Sequence, residues 1–438
     1  MHRYVGLGVA GFLVVAGLTG SLLAWNDELE AALSPQLFRA TPPAPDAQAL
    51  DPLVLRAHVA GHYPKVWVLY APLKVEAGRS VLFAIEGAPN PRTGDPAELP
   101  NDQVFVNPYT GEVLGERKWG DISQGIKNLM PFLYRLHYSL ALGTVGGYLM
   151  GIVALLWTID CFVGAYLTFP ARRCKRESGP HPRPLSPEDR SWPSRWWPSW
   201  KVRVRSGAYK LNFDLHRAGG LWPWSMLLVL AWSSVAFNLS EVYSPVMRAV
   251  FAHQPDEALP RLATLQPEPG IGWIDAREIG RHLMQAEAGA RDFEVLEEQA
   301  LRYDPHTGVY RYSVRSSRDI RDHGGSTSVV FDASTGVRRG LWLPTGAASG
   351  DTIRTWITSL HMATLWGIPF KVLICVLGLA VAMLSVTGIV IWWRKHRARR
   401  SRYIGARPWV IPSHPGSEPQ RPAGEATAYK RRATGLIT

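Results

Sequence analysis

The chain has 438 residues, 46% of them hydrophobic and 19% charged, with 48 Lys and Arg against 36 Asp and Glu for a net charge of +12. That average conceals four almost purely apolar segments, residues 4–25, 140–169, 220–239 and 364–393, each at or above the roughly 20 residues that a helix needs to cross a bilayer. A soluble enzyme, a secreted disulfide scaffold and a disordered chain are excluded. Three cysteines, with Cys161 and Cys375 inside apolar runs, leave no disulfide or zinc framework.

The first apolar segment follows only Met1, His2 and Arg3. It is too long for an ordinary signal-peptide core and has no small-x-small cleavage site before Trp25 and Asn26, so an uncleaved signal anchor is expected. Residues 26–130 carry 9 basic and 13 acidic side chains, and residues 240–360 carry 13 and 16. By contrast, residues 171–210 hold 11 Lys and Arg against Glu177, Glu188 and Asp189, and the tail opens with Arg394, Lys395, Arg397, Arg399, Arg400 and Arg402. Basic flanks stay in the cytoplasm, which places both termini and the middle loop inside and the two long loops outside. The same argument assigns the positive charge to membrane orientation rather than to nucleic acid. In the middle loop, Trp192, Trp196, Trp197 and Trp200 alternate with Pro, Ser and Arg, a composition suited to the headgroup layer, with a partner-docking surface as the other reading. Beyond Pro408 the tail is rich in Pro, Gly and Arg and is expected to be disordered.

The sequence repeats itself. His2, Arg3, Gly6 and Leu7 match His216, Arg217, Gly220 and Leu221, and an acid (Asp27, Glu241) follows each His after 25 residues. Leu136 and His137 with Gly143 match Leu360 and His361 with Gly367. In the outer loops, Asn107 with Gly111, Asp304 with Gly308 and Asp332 with Gly336 lie between β-branched and aromatic runs, as in tight hairpins. Helical stretches precede them at 52–62 and 275–288. The expected fold is an α+β integral membrane protein, a four-helix transmembrane bundle built from two helix–domain–helix repeats. Its parts are transmembrane helices at 1–26, 131–170, 215–240 and 353–394, outer domains at 27–130 and 241–352, a cytoplasmic loop at 171–214 and a tail at 395–438.

The repeat places one His near the start of every membrane helix, so His2 and His216 share the cytoplasmic side while His137 and His361 share the periplasmic side. Facing side chains inside a four-helix bundle hold cofactors, and haem iron has two axial positions that two imidazoles fill. Gly6 and Gly220 would clear space for a macrocycle, and Arg3, Arg135 and Arg217 would pair with its propionates. No C-x-x-C-H motif is present, so two non-covalent b-type haems are expected; one haem, or structural and proton-handling histidines, are the alternatives. Zinc and copper are disfavoured because no third ligand recurs at either depth. The G-x-G-x-x-G stretch at 6–11 lies in a membrane helix and is not a dinucleotide site. Gly143, Gly147 and Gly151 are read as a close-packing stripe, Asp160 as the holder of a polar partner, and Lys371 as a side chain reaching the outer interface. The outer histidines His58, His62, His253, His282, His306 and His323 lack metal spacing and read mostly as surface residues.

The His-Arg-x-x-Gly-Leu entry, Leu18-Thr19-Gly20, the Leu-His pairs, Val386-Thr387-Gly388 and the Asp-Pro-x-Thr-Gly turn together resemble the PepSY-associated transmembrane family over roughly residues 1–400. The resemblance implies PepSY-like periplasmic domains and similarity to inner-membrane ferric-siderophore reductases. On that implication the ligands are His2, His216, His137 and His361, and electrons move outward from a cytoplasmic flavoprotein or quinol to a ferric chelate. No fused flavin module follows the fourth helix, so the donor would be separate. A transporter component, or a non-enzymatic protein binding a periplasmic partner, remain the competing readings.

Overall fold

The computed structural model describes residues 1–89, 96–171, 191–255 and 259–405. Arg172, Arg173, the three acids of the middle loop and the tail after Pro408 lie outside them. Among the described residues, three helices are long and apolar enough to span a membrane: α1 (His2–Leu23), α6 (Gly143–Leu167) and α13 (Gly367–Gly405), the last through Arg400. The fourth expected span is not one helix: α8 (Ala208–Leu221) and α9 (Trp224–Asn238) are long and apolar enough only when taken together, and they are bent by 68° at the break between them. Pro223 causes the split, since it has no amide hydrogen and its ring crowds the carbonyl four residues back.

Each long helix has two faces. On α6, Val145, Tyr148, Ile152, Leu156, Ile159, Phe162 and Tyr166 are exposed at helical spacing, whereas Met150, Val153, Ala154 and Cys161 are buried. An exposed apolar stripe of that length is stable only against lipid tails. Inside, α1 and α13 cross almost backbone to backbone, because a Cβ on Gly17 would lie 2.5 Å from the Gly378 carbonyl oxygen. Ser21 Oγ donates to the Cys375 carbonyl at 2.9 Å beside that crossing. Of the small-residue stripe on α6, only Gly151 makes a close approach, to Asn238 and Leu239 at the end of α9. Gly143 and Gly147 face open space. Lys371 is paired with Glu28 at 2.7 Å, so its ammonium is tied to the segment after α1 rather than left to the interface.

The long helices α6 and α13 are each preceded by a separate amphipathic helix, α5 (Leu129–Ser139) and α12 (Ser349–His361). Left-handed residues end both, Leu140 and Ala141 in one case, Ala363 and Trp366 in the other. The glycine six residues beyond each His, Gly143 (φ 60°) and Gly367 (φ 57°), then starts the long helix in a conformation that glycine adopts without strain.

The outer region is α+β. In the first loop, short helices α2 (Asn26–Leu33) and α3 (Pro35–Phe38) lead to α4 (Pro52–His62), started by the Asp51 side chain accepting from the Leu53 amide. The strands are β1 (Val66–Trp67), β2 (Tyr70–Pro72), β3 (Val81–Ala84), β4 (Glu86–Gly87), β5 (Gln103–Val106) and β6 (Val113–Arg117). Leu55 and Val59 of α4 bury against Val81, Phe83, Val104 and Val106 of the antiparallel sheet β3-β5-β6. After α9, the chain forms α10 (Ser240–Val250) and α11 (Trp273–Arg291), then β7 (Val295–Asp304), β8 (Val309–Ser316), β9 (Thr327–Asp332) and β10 (Arg338–Trp342). The three turns read from the sequence join β5–β6, β7–β8 and β9–β10. In each, the Asn or Asp carboxyl or amide oxygen accepts an amide two residues on, and the glycine has positive φ.

One connection is absent from the sequence reading. Strand β2 of the first loop pairs with β7, so the larger sheet runs β10-β9-β8-β7-β2 and the two outer domains share it. Ala71 and Leu73 are buried in the second domain's core with Leu301, Tyr303, Tyr310 and Phe331, which fixes the register. Arg277 bridges the domains as well, contacting Asp51 and Glu298.

Two predictions follow from these contacts. Gly17→Val should lower the thermal midpoint of the purified protein, by about 1–3 kcal/mol of stability from overpacking, while Gly11→Ala, which meets open space, should not lower it. Asp332, whose carboxyl is held down to about 2 chiefly by its hydrogen bond from Arg339, supports the outer domain above the ordinary aspartate range. That support fades as pH falls from about 4 through about 2, and an acid titration of stability should show a shallower loss in Asp332→Asn.

Candidate functional site

The four sequence-singled histidines meet as two pairs. His2 on α1 and His216 on α8 have ring centroids 6.1 Å apart, with planes at 49°. His137 on α5 and His361 on α12 are 6.2 Å apart at 79°. Along α1, His137 is met at Thr19, seventeen residues after His2, so the pairs are separated by roughly 25 Å at about 1.5 Å per residue. They occupy opposite ends of the bundle. All four rings are half-buried between helices.

In every case the neighbouring helix engages the same ring nitrogen. The Nδ1 of His137 lies 3.0 Å from Thr19 Oγ1, and that of His361 lies 2.7 Å from Ser233 Oγ. His216 Nδ1 lies 3.0 Å from the Leu384 carbonyl and 3.1 Å from Thr387 Oγ1. His2 Nδ1 lies 2.9 Å from Asp160 Oδ2. A carbonyl or carboxylate acceptor requires Nδ1 to carry the proton, and with Nδ1 so engaged Nε2 is left as the ring nitrogen for a metal. Glycines let three of the rings sit this close: a Cβ on Gly20 would be 3.0 Å from His137, on Gly388 3.2 Å from His216, and on Gly164 3.5 Å from His2.

These seats recur at fixed offsets. Thr19 and Ser233 follow His2 and His216 by seventeen residues, and Gly164 and Gly388 follow His137 and His361 by twenty-seven. Each stretch of chain that offers a histidine to one pair, α1, α5–α6, α8–α9 or α12–α13, therefore offers a seat to the other. Asp160 and Leu384 also hold matching positions, so the carboxylate is what distinguishes the two halves of the His2–His216 site. The offsets were readable in the sequence; which groups touch the rings was not.

The other residues picked out with the histidines fall in different places. A Cβ on Gly6 or Gly220 would meet only ordinary contacts, 3.9 Å from Asp160 and 3.8 Å from Leu384. Arg3 lies exposed over the ring of Tyr4 and donates to its hydroxyl. Arg135 donates to the Gly120 carbonyl at 3.2 Å. Arg217 donates to the Pro198 carbonyl and to Asp214, a fully buried carboxylate that also takes two bonds from the Arg203 guanidinium; the sequence reading did not single Asp214 out. The tryptophan loop packs on the same end of the bundle as His2 and His216. Phe169, Trp196, Trp200 and Trp222 follow one another with ring centroids 5.0–5.4 Å apart, and Trp196 Nε1 donates to Thr168.

Can these residues hold haem? Metal–nitrogen bonds of about 2.0–2.1 Å, with about 1.1 Å from nitrogen to ring centre, put two imidazoles in trans across one metal roughly 6.3 Å apart by centroid. Both observed separations fit. Among the described residues no three His, Cys, Asp or Glu side chains gather as a cation site. Two ligands are too few for tetrahedral zinc but are all that a porphyrin-held iron takes from protein.

The chain is thus a multi-pass membrane protein with an α+β portion outside its helical bundle and a pair of imidazoles at each end of that bundle. It belongs to the family of the PepSY-associated TM region, whose model matches residues 1–395. No curated protein matches it closely enough to count as a relative.

The seats can be tested by substitution, if the pairs hold a group that absorbs visible light. Thr19→Val and Ser233→Ala each remove a partner of a ring at the His137–His361 pair, and each should weaken whatever that pair ligates while leaving the His2–His216 pair unaffected. Asp160→Asn should do the reverse. Visible spectra of the purified variants report this, and loss at the wrong pair would contradict the assignment.

Proposed function

We propose that the protein is a di-haem b electron-transfer protein of the bacterial inner membrane, with both termini cytoplasmic, acting as a reductase of ferric siderophores or related ferric chelates. Electrons would enter at the His2–His216 end from a cytoplasmic flavoprotein or from quinol, and leave at the His137–His361 end. The observation that carries this reading is the spacing of the two imidazole couples, 6.1 and 6.2 Å between ring centroids, which would let each couple hold one metal ion between its rings. When bound, each haem would supply one-electron exchange between ferric and ferrous iron.

The chain's own residues hold, orient and insulate. Thr19, Ser233, Thr387 and the Leu384 carbonyl engage Nδ1 of three of the rings, which leaves Nε2 of each as the nitrogen available to a metal. Asp160 places a carboxylate against His2, which makes that imidazole a stronger donor and favours the higher charge on a metal it ligates. Between the two ends, Val9, Leu13, Val153 and Val381 exclude water, and Trp157 packs against both this cluster and the one around Leu365 and Phe370. Phe237 stands edge-on to His361 at 5.4 Å. At the outer end, one electron converts ferric iron to ferrous, which oxygen ligands hold less tightly because its charge is lower.

A transporter reading would draw on the bent α8–α9 crossing. Pro223 accounts for that bend, and its consequence is to bring His216 alongside His2.

The test is one spectrum. Dithionite-reduced protein should show split b-type bands at two haems per chain. His137→Ala and His361→Ala should each remove one component, and His2→Ala and His216→Ala the other. A colourless, fully folded preparation grown with ample haem would end this reading in favour of a non-enzymatic or transport role.

A further inference from the structure

The two histidine couples are built alike except at one ring. Three of the four Nδ1 atoms meet neutral acceptors. Thr19 Oγ1 gives its own hydrogen to the Val15 carbonyl at 2.7 Å, and Ser233 Oγ gives its own to the Val229 carbonyl at 2.7 Å, so each oxygen is left to accept from the ring of His137 or His361. Thr387 Oγ1 does likewise with the Met383 carbonyl at 2.8 Å, and His216 shares its ring hydrogen between that oxygen and the Leu384 carbonyl. His2 alone of the four faces a carboxylate, Asp160 Oδ2 at 2.9 Å. Asp160 and Leu384 stand twenty-three residues after His137 and His361, so the carboxylate replaces what the other half of the repeat supplies from its backbone.

The charge on Asp160 is not neutralised elsewhere. Its other oxygen, Oδ1, is buried without a hydrogen-bond partner, and among the described residues His2 is its one ion-pair partner. The basic side chains next to the couple in sequence are engaged with other groups, Arg3 with Tyr4, and Arg217, together with Arg203, with Asp214. Asp160 is only 9% exposed, so water screens its charge little.

A carboxylate that accepts the Nδ1 hydrogen raises the basicity of Nε2 and stabilises the higher charge on a metal bound there; a neutral hydroxyl or carbonyl does so far less. We propose that Asp160, acting through His2, sets the reduction potential at the His2–His216 couple below that at the His137–His361 couple, and so gives the bundle its outward electron direction. This rests on the di-haem reading above. One electron from the flavoprotein or quinol donor makes the inner iron ferrous; that iron returns to ferric as the outer ferric iron becomes ferrous, with no bond made or broken and no proton moved. Asp160 touches neither iron nor substrate, and its action is on the ring of His2.

The test is a spectroscopic redox titration of the purified full chain in detergent, with haem supplied in excess so that a weakened site stays filled. Two one-electron components are expected, and the one lost in His216→Ala should have the lower potential. Asp160→Asn keeps an acceptor for Nδ1 but removes the charge. It should shift that component toward the reduced form by roughly tenfold or more, which is about 59 mV for one electron, and leave the other component in place. Asp160→Glu, which restores the charge, should reverse most of the shift. The order of the two potentials in the parent chain tests the proposal even where a variant fails to fold. A higher potential for the component lost in His216→Ala overturns it, as does an Asp160→Asn variant that moves neither component or both alike. Absence of that component in Asp160→Asn despite excess haem also overturns it, leaving Asp160 as a holder of the ring only. A folded parent chain without haem sinks the reductase reading and this proposal with it. Two haems whose potentials are indifferent to Asp160 sink this proposal alone.

Discussion

Everything in the bundle depends on how four imidazole rings are held. A histidine side chain has two rotatable bonds and two usable nitrogens, and in a membrane interior an untethered ring would find any polar partner in reach. Here the neighbouring helix engages Nδ1 of each ring, so orientation and the free nitrogen are set together. The close approaches follow from that need. Gly20, Gly164 and Gly388 stand where a ring meets the adjoining helix, and Gly17 with Gly378 brings α1 and α13 into register. His137, His216 and His361 each lie on the helix just before a break or bend, at the end of α5, before Pro223 and at the end of α12.

Much of this was legible in the sequence because repetition exposes it. Three of the four apolar segments correspond to long helices, the fourth to a bent pair, and the three Asn- or Asp-to-Gly turns to hairpins, while the matched histidines meet as two pairs of rings. The glycine six residues beyond His137 and His361 marked something shared, which proves to be a positive-φ start to a helix. The offsets linking Thr19 to Ser233 and Gly164 to Gly388 were equally present, but an offset does not say which side chain it meets.

What could not be read depends on contacts between distant segments. Nothing in Tyr70–Pro72 announces that it joins a sheet more than two hundred residues away; its partner is set by the core that Ala71 and Leu73 enter. Arg135 and Arg217 suit anionic groups by charge, yet nearby acceptors, the Gly120 carbonyl and Asp214, hold them. Lys371 was free to reach the interface until Glu28 was brought beside it.

The central claim is that each histidine couple grips one iron, and the most direct measurement is low-temperature electron paramagnetic resonance of the oxidised, purified chain. The planes within the two couples differ, 49° against 79°, so two distinguishable low-spin ferric signals of bis-imidazole type are expected, in equal amounts, the more anisotropic one lost in His361→Ala. High-spin ferric iron alone, or no iron signal in a folded protein, would contradict the account.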